Sequence, residues 1–307
     1  MLINHVMSND VKSGIFDAIM GYFKKYSKSI EYVVSIKPVE GADIYHYHRP
    51  HLEDELAKPA VSTVHHDLKD TDDWLDPTRF YDRYRECEKV ICLNTSQEKI
   101  LNSLGINHTV VIPHGYREDI FKPSEKLNLA NRKLKFGLVS KRYGRKVKGE
   151  AYLYEIMKRL PPESVEWFFV GEGRTQDAFR ARELGFDAKV YERLPYKMFG
   201  NLYESLDVLL MCSWHEGGPA NIPEAIASAT PVIGFDVGMV KDLIINNLNG
   251  LILTGNVEHD SEILMKAIND RGLIKALNNN ILSGDGMTCI TWQECISKNI
   301  EVYSSCK

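Results

Sequence analysis

Residues 206–225 read LDVLLMCSWHEGGPANIPEA and contain two short segments of different character. The apolar run at 206–212 is bounded by polar residues, which predicts a buried parallel strand. Residues 222–228 have helical character. In an open α/β sheet, a strand-loop-helix junction of this kind lies at the carboxyl edge of the sheet, where ligands bind. Two carboxylates flank its Gly-Gly-Pro turn, with Glu216 in the loop and Glu224 about one turn inside the helix.

The chemistry of this junction suits an anionic ligand that also carries hydroxyl groups. Glycines let the backbone approach phosphates closely, and the exposed amides of a helix start favour anions. The carboxylates of Glu216 and Glu224 could accept hydrogen bonds from the hydroxyls of two different parts of one ligand. Two solvated glutamates flanking a turn are the alternative interpretation.

The spacing of the two glutamates resembles the E-x7-E motif of retaining glycosyltransferases of family four. These enzymes have the GT-B fold, in which two Rossmann-like α/β domains face each other across a cleft and a C-terminal helix crosses back to the first domain. The resemblance implies that Glu216 meets the donor sugar near its 3- and 4-hydroxyls and that Glu224 binds the ribose of the nucleotide. Ser213 matches the serine of the family's P-S-x-x-E pattern, with Cys212 in place of its proline. The sugar donor is expected to bind this segment through Ser213, Gly217, Gly218, Pro219, Ala220 and Asn221.

A strongly basic loop follows the predicted strand at 136–139 and precedes a predicted helix at 150–160. It carries five cations: Lys141, Arg142, Arg145, Lys146 and Lys148. Such clustering favours a bound polyanion, and a diphosphate suits an arginine fork and a lysine point charge. Family members carry an arginine, five residues and then Lys-Gly here, so the resemblance implies that Arg142 and Lys148 neutralise the diphosphate leaving group. A solvated loop or a general anion patch is the alternative.

Two further segments match the order of the family's motifs. Gly171, in the sequence Val-Gly-Glu-Gly after an apolar strand at 167–169, resembles the second glycine turn. As a dinucleotide fingerprint this turn fails, because the third glycine is missing, and a dehydrogenase is therefore disfavoured. Residues 190–195 stand where relatives carry a phenylalanine and a glycine before the segment that contacts the base. Tyr191 and Glu192 depart from that pair, and Leu194 is expected to contact the base through its backbone.

The amino-terminal half predicts a second series of strands, at 2–7, 32–36, 44–47 and 60–64, with a first helix that ends at Tyr26. The loop before that helix matches a glycine loop that touches the donor phosphate in relatives. Gly14 is the matching position, and Ser13 stands where relatives have the paired glycine. An ordinary strand-helix turn is the alternative.

The strand at 60–64 ends in Thr63-Val64-His65, which matches a T-x-H pattern of the family. The resemblance implies that His65 approaches the donor sugar, often its 6-hydroxyl. A shift of one residue would give this role to His66 instead.

No essential metal ion or other cofactor is expected, with the nucleoside-diphosphate sugar serving as co-substrate. A metal at His65, His66 and Asp67 is disfavoured because neighbouring side chains of a strand point in opposite directions. The acidic run Asp70, Asp72 and Asp73 is interpreted as a solvated loop. His46, His48 and His51 are interpreted as pocket lining or surface, on the acceptor side if they face a ligand.

The motifs divide the chain into three parts. Residues 1–115 predict an acceptor-side Rossmann-like domain that ends in a sequence like the family's V-I-P-N-G, with His114 in place of asparagine. Residues 116–290 predict the domain that binds the nucleotide-sugar donor. Residues 291–307 predict a terminal helix that returns to the first domain.

Composition limits the possible partners and compartment. The net charge of −4 argues against nonspecific nucleic-acid binding. No apolar run is long enough to span a bilayer, the first residues lack signal-peptide character, and six cysteines without a C-x-x-C pair favour reduced thiols in a cytoplasmic protein. The lysines at 12, 24, 25 and 28 allow weak peripheral contact with the inner face of a membrane, with a solvated helix face as the alternative.

Together these features predict a retaining hexosyltransferase that acts on a glycan, a lipid-linked acceptor or a small molecule. Arg142, Lys148 and helix-start amides at 218–221 would stabilise charge on the diphosphate, while Glu216 and His65 orient the sugar. The departing phosphate would take the acceptor proton. A GT-B sugar-nucleotide epimerase and a catalytically degenerate nucleotide-sugar-binding subunit are the two alternatives.

Overall fold

The computed structural model of the protein describes residues 1–8 and 14–307. The predicted loop at 9–13, with Ser13, lies outside the described residues. The strands are β1 (Leu2–Val6), β2 (Glu31–Ser35), β3 (Ile44–Tyr47), β4 (Ala60–Val64), β5 (Lys89–Cys92), β6 (Thr109–Val111), β7 (Leu134–Val139), β8 (Val165–Val170), β9 (Asp187–Tyr191), β10 (Val208–Met211), β11 (Val232–Phe235) and β12 (Gly250–Leu253). The helices are α1 (Gly14–Tyr26), α2 (Thr78–Glu86), α3 (Thr95–Ser103), α4 (Glu150–Met157), α5 (Thr175–Glu183), α6 (Phe199–Ser205), α7 (Asn221–Ala227), α8 (Val240–Leu243), α9 (Val257–Asn269), α10 (Arg271–Leu282) and α11 (Trp292–Ser305).

One compact unit comprises residues 1–115 and 290–307. Its described strands form a parallel sheet in the order β2-β1-β3-β4-β5-β6. Strands β3 and β4 are buried along their whole length, although His46, Ser62 and Thr63 interrupt their apolar sequence. The four strands predicted in this half are confirmed to within one residue at each end.

The last helix, α11, belongs to this first unit and packs against α1. The predicted helix start at Thr291 is confirmed by a capping box, in which the Thr291 hydroxyl accepts from the Glu294 N–H at 3.2 Å and the Glu294 carboxylate accepts from the Thr291 N–H at 2.7 Å. The ring of Trp292 stacks on that of Tyr22, with 4.5 Å between the centroids. Capping and stacking together fix the helix on this unit.

The second compact unit comprises residues 116–289. Its described strands also form a parallel sheet, in the order β12-β11-β10-β7-β8-β9. Aromatic side chains that are fully buried fill its core, among them Trp167, Phe136 and Phe169. Because β10 pairs directly with β7, the loops that follow these two strands leave the carboxyl edge side by side. The predicted helix at 150–160 is confirmed as α4, which ends three residues earlier, at Met157.

The prediction of two Rossmann-like α/β units is confirmed. Among the described residues, the six cysteines form no disulfide bond with one another. Among the residues that the structure describes, no helix has the length and apolar character needed to cross a bilayer.

Candidate functional site

The motif loop at 212–220 and the basic loop at 140–149 are held together at the carboxyl edge of the second sheet. The Trp214 N–H donates to the carbonyl of Val147 at 2.9 Å, and the Asn221 side-chain amide donates to the carbonyl of Val139 at 2.9 Å. The first bond joins the two loops, and the second ties the start of α7 to the end of β7. Ser213, Gly217 and Pro219 are buried in the loop, while Gly218, Ala220 and Asn221 are half-buried.

The structure brings two of the predicted site residues into direct contact. The ammonium of Lys148 pairs with the carboxylate of Glu216, and only 12% and 13% of the two side chains are exposed. The Lys148 Nζ also lies 5.5 Å from the centroid of the Tyr143 ring, which helps to position the charge. A lysine that suits a phosphate and a carboxylate that suits a hydroxyl therefore lie next to each other.

Sequence reasoning missed Gly238, which lies against Glu216. A Cβ atom at position 238 would stand 2.9 Å from the Glu216 Cβ and 2.9 Å from its carbonyl oxygen. The residue also has a φ of +54°, so glycine is favoured there both by space and by backbone conformation. Gly238 follows β11, which pairs with β10 in the sheet. Only this strand order, and no spacing in the sequence, brings Gly238 next to the motif loop.

The basic loop carries less unbalanced charge than its composition suggests. Lys141 pairs with Glu172 at 2.8 Å on the surface, and Arg142 pairs with the buried carboxylate of Asp177. Together with the Lys148 pair, at least three of the five cations have acidic partners. Clustering of cations therefore does not by itself support a bound polyanion, and the case for a phosphate site must come from the placement of individual side chains.

Arg142 is anchored through one nitrogen of its guanidinium. Its Nη1 donates to the Tyr154 hydroxyl at 3.0 Å and to the Asp177 carboxylate. A guanidinium has five N–H donors, and its Nε and Nη2 make no hydrogen bond within the part of the chain that the structure describes. Side-chain exposure is 17%, so a fixed fork of donors remains open to an oxyanion.

A buried arginine that no sequence motif marks holds the basic loop in place. Arg174 is fully buried and donates to the carbonyl and hydroxyl oxygens of Ser140 at 2.8 and 2.9 Å. It also pairs with Asp177 at 2.8 Å and Glu150 at 3.3 Å. Asp177 thus bridges Arg174 and Arg142. The only signal in the sequence is an arginine three residues before an aspartate at a helix start.

Gly171 lies at a close crossing of two backbones. With a φ of +132°, a Cβ atom there would stand 2.5 Å from the carbonyl oxygen of Ser140. The loops after β7 and β8 also share a bond from the Arg142 N–H to the Glu172 carbonyl at 2.9 Å. Gly171 therefore lets the two loops pack together, which is a structural reason for the glycine turn.

Glu192, which departs from the family pattern, binds the start of α5. Its carboxylate accepts from the Gly173 N–H at 2.5 Å and from the Thr175 N–H at 2.6 Å. Hydrogen bonds from Thr175, and then from Gly173, hold its pKa below the ordinary value. Leu194 is half-buried two residues later, and its backbone groups make no hydrogen bond to other described residues.

Glu224 is buried in α7 and bound by two tyrosines. Its carboxylate accepts from the Tyr196 hydroxyl at 2.7 Å and from the Tyr203 hydroxyl at 3.2 Å. Burial raises the pKa of Glu224 to about 7, and the two hydrogen bonds only partly offset this effect. Tyr203 is fully buried whereas Tyr196 is exposed, so Tyr196 is the surface side of this group.

We expect Glu224 to make stability depend on pH. Its folded pKa of about 7 exceeds the ordinary 4.5, so its stabilising contribution is present below pH 4.5 and lost as the pH rises through about 7. The glutamine of Glu224→Gln stays neutral at every pH. The difference in free energy of unfolding, variant minus wild type, should therefore rise by roughly 3 kcal/mol between pH 4.5 and about pH 8. Urea unfolding at a series of pH values measures this difference. The exposed Glu163→Gln serves as the control, and parallel curves for Glu224→Gln and the wild type would contradict the expectation.

In the first unit, the two candidate histidines lie in different surroundings. His65 is half-buried and lines a cavity of about 30 Å³ with His48 and His114. His66 is buried, with its ring 4.2 Å from that of Phe80. Gly14 begins α1, and a Cβ atom there would meet no described atom within 4 Å, so its proposed contact with a phosphate stays a prediction.

Potential metal ligands come together at one place in the described residues. His5, His46 and His48 are buried and offer ligand atoms within 4.8 Å of one another. Neither the pair His65 and His66 nor the acidic run at 70–73 forms such a group among residues 1–8 and 14–307. Both nitrogens of His46 already bond to hydroxyls, those of Tyr303 at 2.6 Å and Thr63 at 2.7 Å.

Comparison with known proteins identifies the family. The family model for glycosyl transferases group 1 matches residues 121–282, which is more than half of the chain. The chain belongs to this family. An uncharacterized glycosyltransferase of Methanocaldococcus jannaschii is 22% identical, over 92% of this chain and 82% of that protein.

Solved structures share the fold over nearly the whole chain. The sucrose-phosphate synthase of Thermosynechococcus elongatus aligns with a TM-score of 0.81 at 13% identity, covering 99% of this chain and 98% of that one. The Anabaena protein HepE, solved in complex with UDP-glucose, aligns with a TM-score of 0.76 at 16% identity, covering 99% and 100%. The predicted GT-B fold is confirmed, and each of the two units supplies one of its Rossmann-like domains.

Proposed function

We propose that this glycosyltransferase moves a hexose from a nucleoside-diphosphate sugar to an acceptor hydroxyl, with retention of anomeric configuration and without a metal ion. The observation that carries the proposal is the contact between Lys148 and Glu216 at the carboxyl edge of the second sheet. A cation for the leaving group and a carboxylate for the sugar are thus adjacent on two neighbouring loops. Family membership supplies the reaction class.

The diphosphate is assigned to Lys148 and Arg142. Lys148 offers a point charge, and Arg142 offers the Nε and Nη2 donors that its bonds to Tyr154 and Asp177 leave open. Charge that develops on the leaving phosphate would be stabilised by groups already held in place, and in many enzymes such stabilisation accelerates the reaction more than any other effect. Ion pairing of Lys148 with Glu216 would be replaced by pairing with the phosphate when the sugar donor binds.

The remaining parts of the sugar donor are assigned to three other residues and to the backbone. Glu216, released from Lys148, would accept hydrogen bonds from the sugar hydroxyls. Glu224 would bind the ribose from the side of Tyr196, and the open backbone groups of Leu194 would meet the base edge. His65 would donate to a hydroxyl of the sugar.

In the proposed reaction, the bond between the anomeric carbon and the phosphate oxygen breaks as the acceptor oxygen bonds to the same face of that carbon. The acceptor hydroxyl proton passes to the departing phosphate oxygen. The protein contributes position and charge and takes no covalent part. The acceptor would be a glycan, a lipid-linked saccharide or a small molecule.

A panel of sugar nucleotides tests the proposal, beginning with UDP-glucose because HepE is solved with it. Slow hydrolysis that releases nucleoside diphosphate is expected, together with ligand-dependent thermal stabilisation. Proton NMR of the transferred sugar should show the anomeric configuration of the donor, and EDTA should leave the rate unchanged. Epimerised donor would instead identify an epimerase, stabilisation without turnover a binding subunit, and neither binding nor release with any donor would overturn the assignment.

A further inference from the structure

Three histidines of the first unit come from the carboxyl ends of adjacent parallel strands. His5 lies near the end of β1, His48 follows β3 and His65 follows β4, and these strands are neighbours in the order β1-β3-β4. Their rings are linked in series. His5 Nδ1 lies 3.0 Å from His48 Nε2, and His48 Nδ1 lies 2.8 Å from His65 Nε2.

The three imidazoles are neutral at ordinary pH. Burial is the main cause that holds the pKa of His5, His48 and His65 well below 6.5. The guanidinium of Arg49 lowers the pKa of His48 and His65 further. A neutral imidazole has one N–H donor and one acceptor nitrogen. Because His48 uses both of its nitrogens, the two hydrogen bonds must run in the same direction along the chain of rings.

The buried end of this chain indicates the direction. His5 Nε2 is buried and has no hydrogen-bond partner among the described residues. If each ring donated toward His5, the Nε2 atom of His5 would carry a buried N–H without an acceptor. If each ring donates toward His65, His5 Nε2 keeps only an unused lone pair. A buried N–H without a partner is rarer in proteins than a buried acceptor without one. Donation toward His65 places a proton on Nδ1 of each ring.

We propose that His5 and His48 are positioning residues that fix His65 as the tautomer protonated on Nδ1, so that this nitrogen is a hydrogen-bond donor. Nε2 of His65 is occupied by His48, and Nδ1 has no partner in the part of the chain that the structure describes. The Nδ1–H of His65 then donates a hydrogen bond to a ligand oxygen, and this nitrogen cannot take a proton from the acceptor hydroxyl. The catalytic significance of this tautomer rests on the proposed contact of His65 with the sugar. The assignment of the tautomer does not rest on that contact.

The bonds of His46 favour this relay over a metal site. Its ring stacks on that of His48, with 4.4 Å between the centroids. Both of its nitrogens nevertheless make hydrogen bonds, one with the Tyr303 hydroxyl and one with the Thr63 hydroxyl. A metal bound by His5, His46 and His48 would have to displace one of these hydroxyls and one of the two bonds that His48 makes, to His5 or to His65. The relay needs neither change.

Nitrogen NMR of the full-length protein labelled with ¹⁵N-histidine tests the tautomer directly. Protonated and unprotonated ring nitrogens differ widely in chemical shift, and a His65→Gln variant identifies the His65 signals. We expect Nδ1 of His65 to be protonated in the wild type, and protonation at Nε2 would overturn the proposal. One equivalent of Zn²⁺ should leave the histidine signals in place. Stoichiometric shifts of the ring signals of His5, His46 and His48 would overturn the proposal as well.

Substitutions of His48 test its positioning role. His48→Leu should let His65 populate both tautomers and lower kcat/KM by about tenfold, the effect of one lost hydrogen bond, while His48→Asn, which keeps a side-chain N–H, should retain most of the Nδ1–H form and most of the rate. His259→Leu is the control, because His259 is exposed on α9 of the second unit. Unchanged His65 signals in His48→Leu would overturn the relay. Shifted signals with an unchanged rate would support the relay and contradict the sugar contact of His65.

Discussion

Replacing Lys148 by methionine is expected to lower kcat by about 100- to 1,000-fold, the loss found when one preorganised group that stabilises transition-state charge is removed. Methionine keeps an unbranched side chain and removes the ammonium that we assign to the diphosphate. Binding of nucleoside diphosphate should weaken as well. Initial rates of nucleoside-diphosphate release, with the best donor of the panel, measure the first effect, and calorimetric titration measures the second.

Lys141→Met is the matched control for this variant. Lys141 lies in the same basic loop but is exposed and pairs with Glu172 at the surface. Exposed ion pairs contribute about 0–1 kcal/mol, so Lys141→Met should keep nearly the wild-type rate. Equal losses in the two variants would mean that the loop acts through its overall charge, and the assignment of Lys148 to the leaving group would then be wrong.

The strands and their carboxyl edge could be predicted from sequence because parallel strands buried on both faces are continuous apolar runs. Val208–Met211 is of this kind. The proximity of the loops that carry Lys148 and Glu216 also follows once β7 and β10 are known to be neighbours. No local pattern in the sequence gives that strand order.

The support of the basic loop could not be predicted from sequence. Arg174, Asp177 and Glu150 form a buried network whose members have no distinctive spacing, and ordinary helix surfaces carry the same residue types. In the sequence, Glu192 likewise is only a departure from a motif, whereas in the structure its carboxylate binds the Gly173 and Thr175 amides. Burial and partners decide the role of such charges, and both depend on tertiary structure.

The histidine relay is also hidden in the sequence. His5, His48 and His65 are separated by 43 and 17 residues, and they meet only because β1, β3 and β4 are adjacent. From sequence alone, His48 is interpreted as pocket lining or surface. The structure places it, buried, between the two other rings.

Replacing Glu216 by glutamine should separate binding from catalysis. Transfer is expected to fall about 100-fold in kcat/KM, because hydrogen bonds to a charged group contribute about 1.5–3 kcal/mol each and the neutral amide accepts them less well. Affinity for free nucleoside diphosphate should rise by roughly three- to tenfold, since Lys148 no longer has to leave an ion pair that is mostly buried. Rates and calorimetric titration on one protein preparation give both quantities.

The opposite signs of these two effects make the test specific to the proposed exchange of partners by Lys148. A carboxylate that merely holds the loop in shape would lose diphosphate affinity together with rate when it is replaced. Glu172→Gln provides the matched control, because Glu172 also pairs with a lysine of the basic loop but is 60% exposed and should change neither quantity by more than about twofold. If diphosphate affinity falls in Glu216→Gln while Glu172→Gln behaves as the wild type, Glu216 supports the loop, and the carboxylate that contacts the sugar must be sought elsewhere.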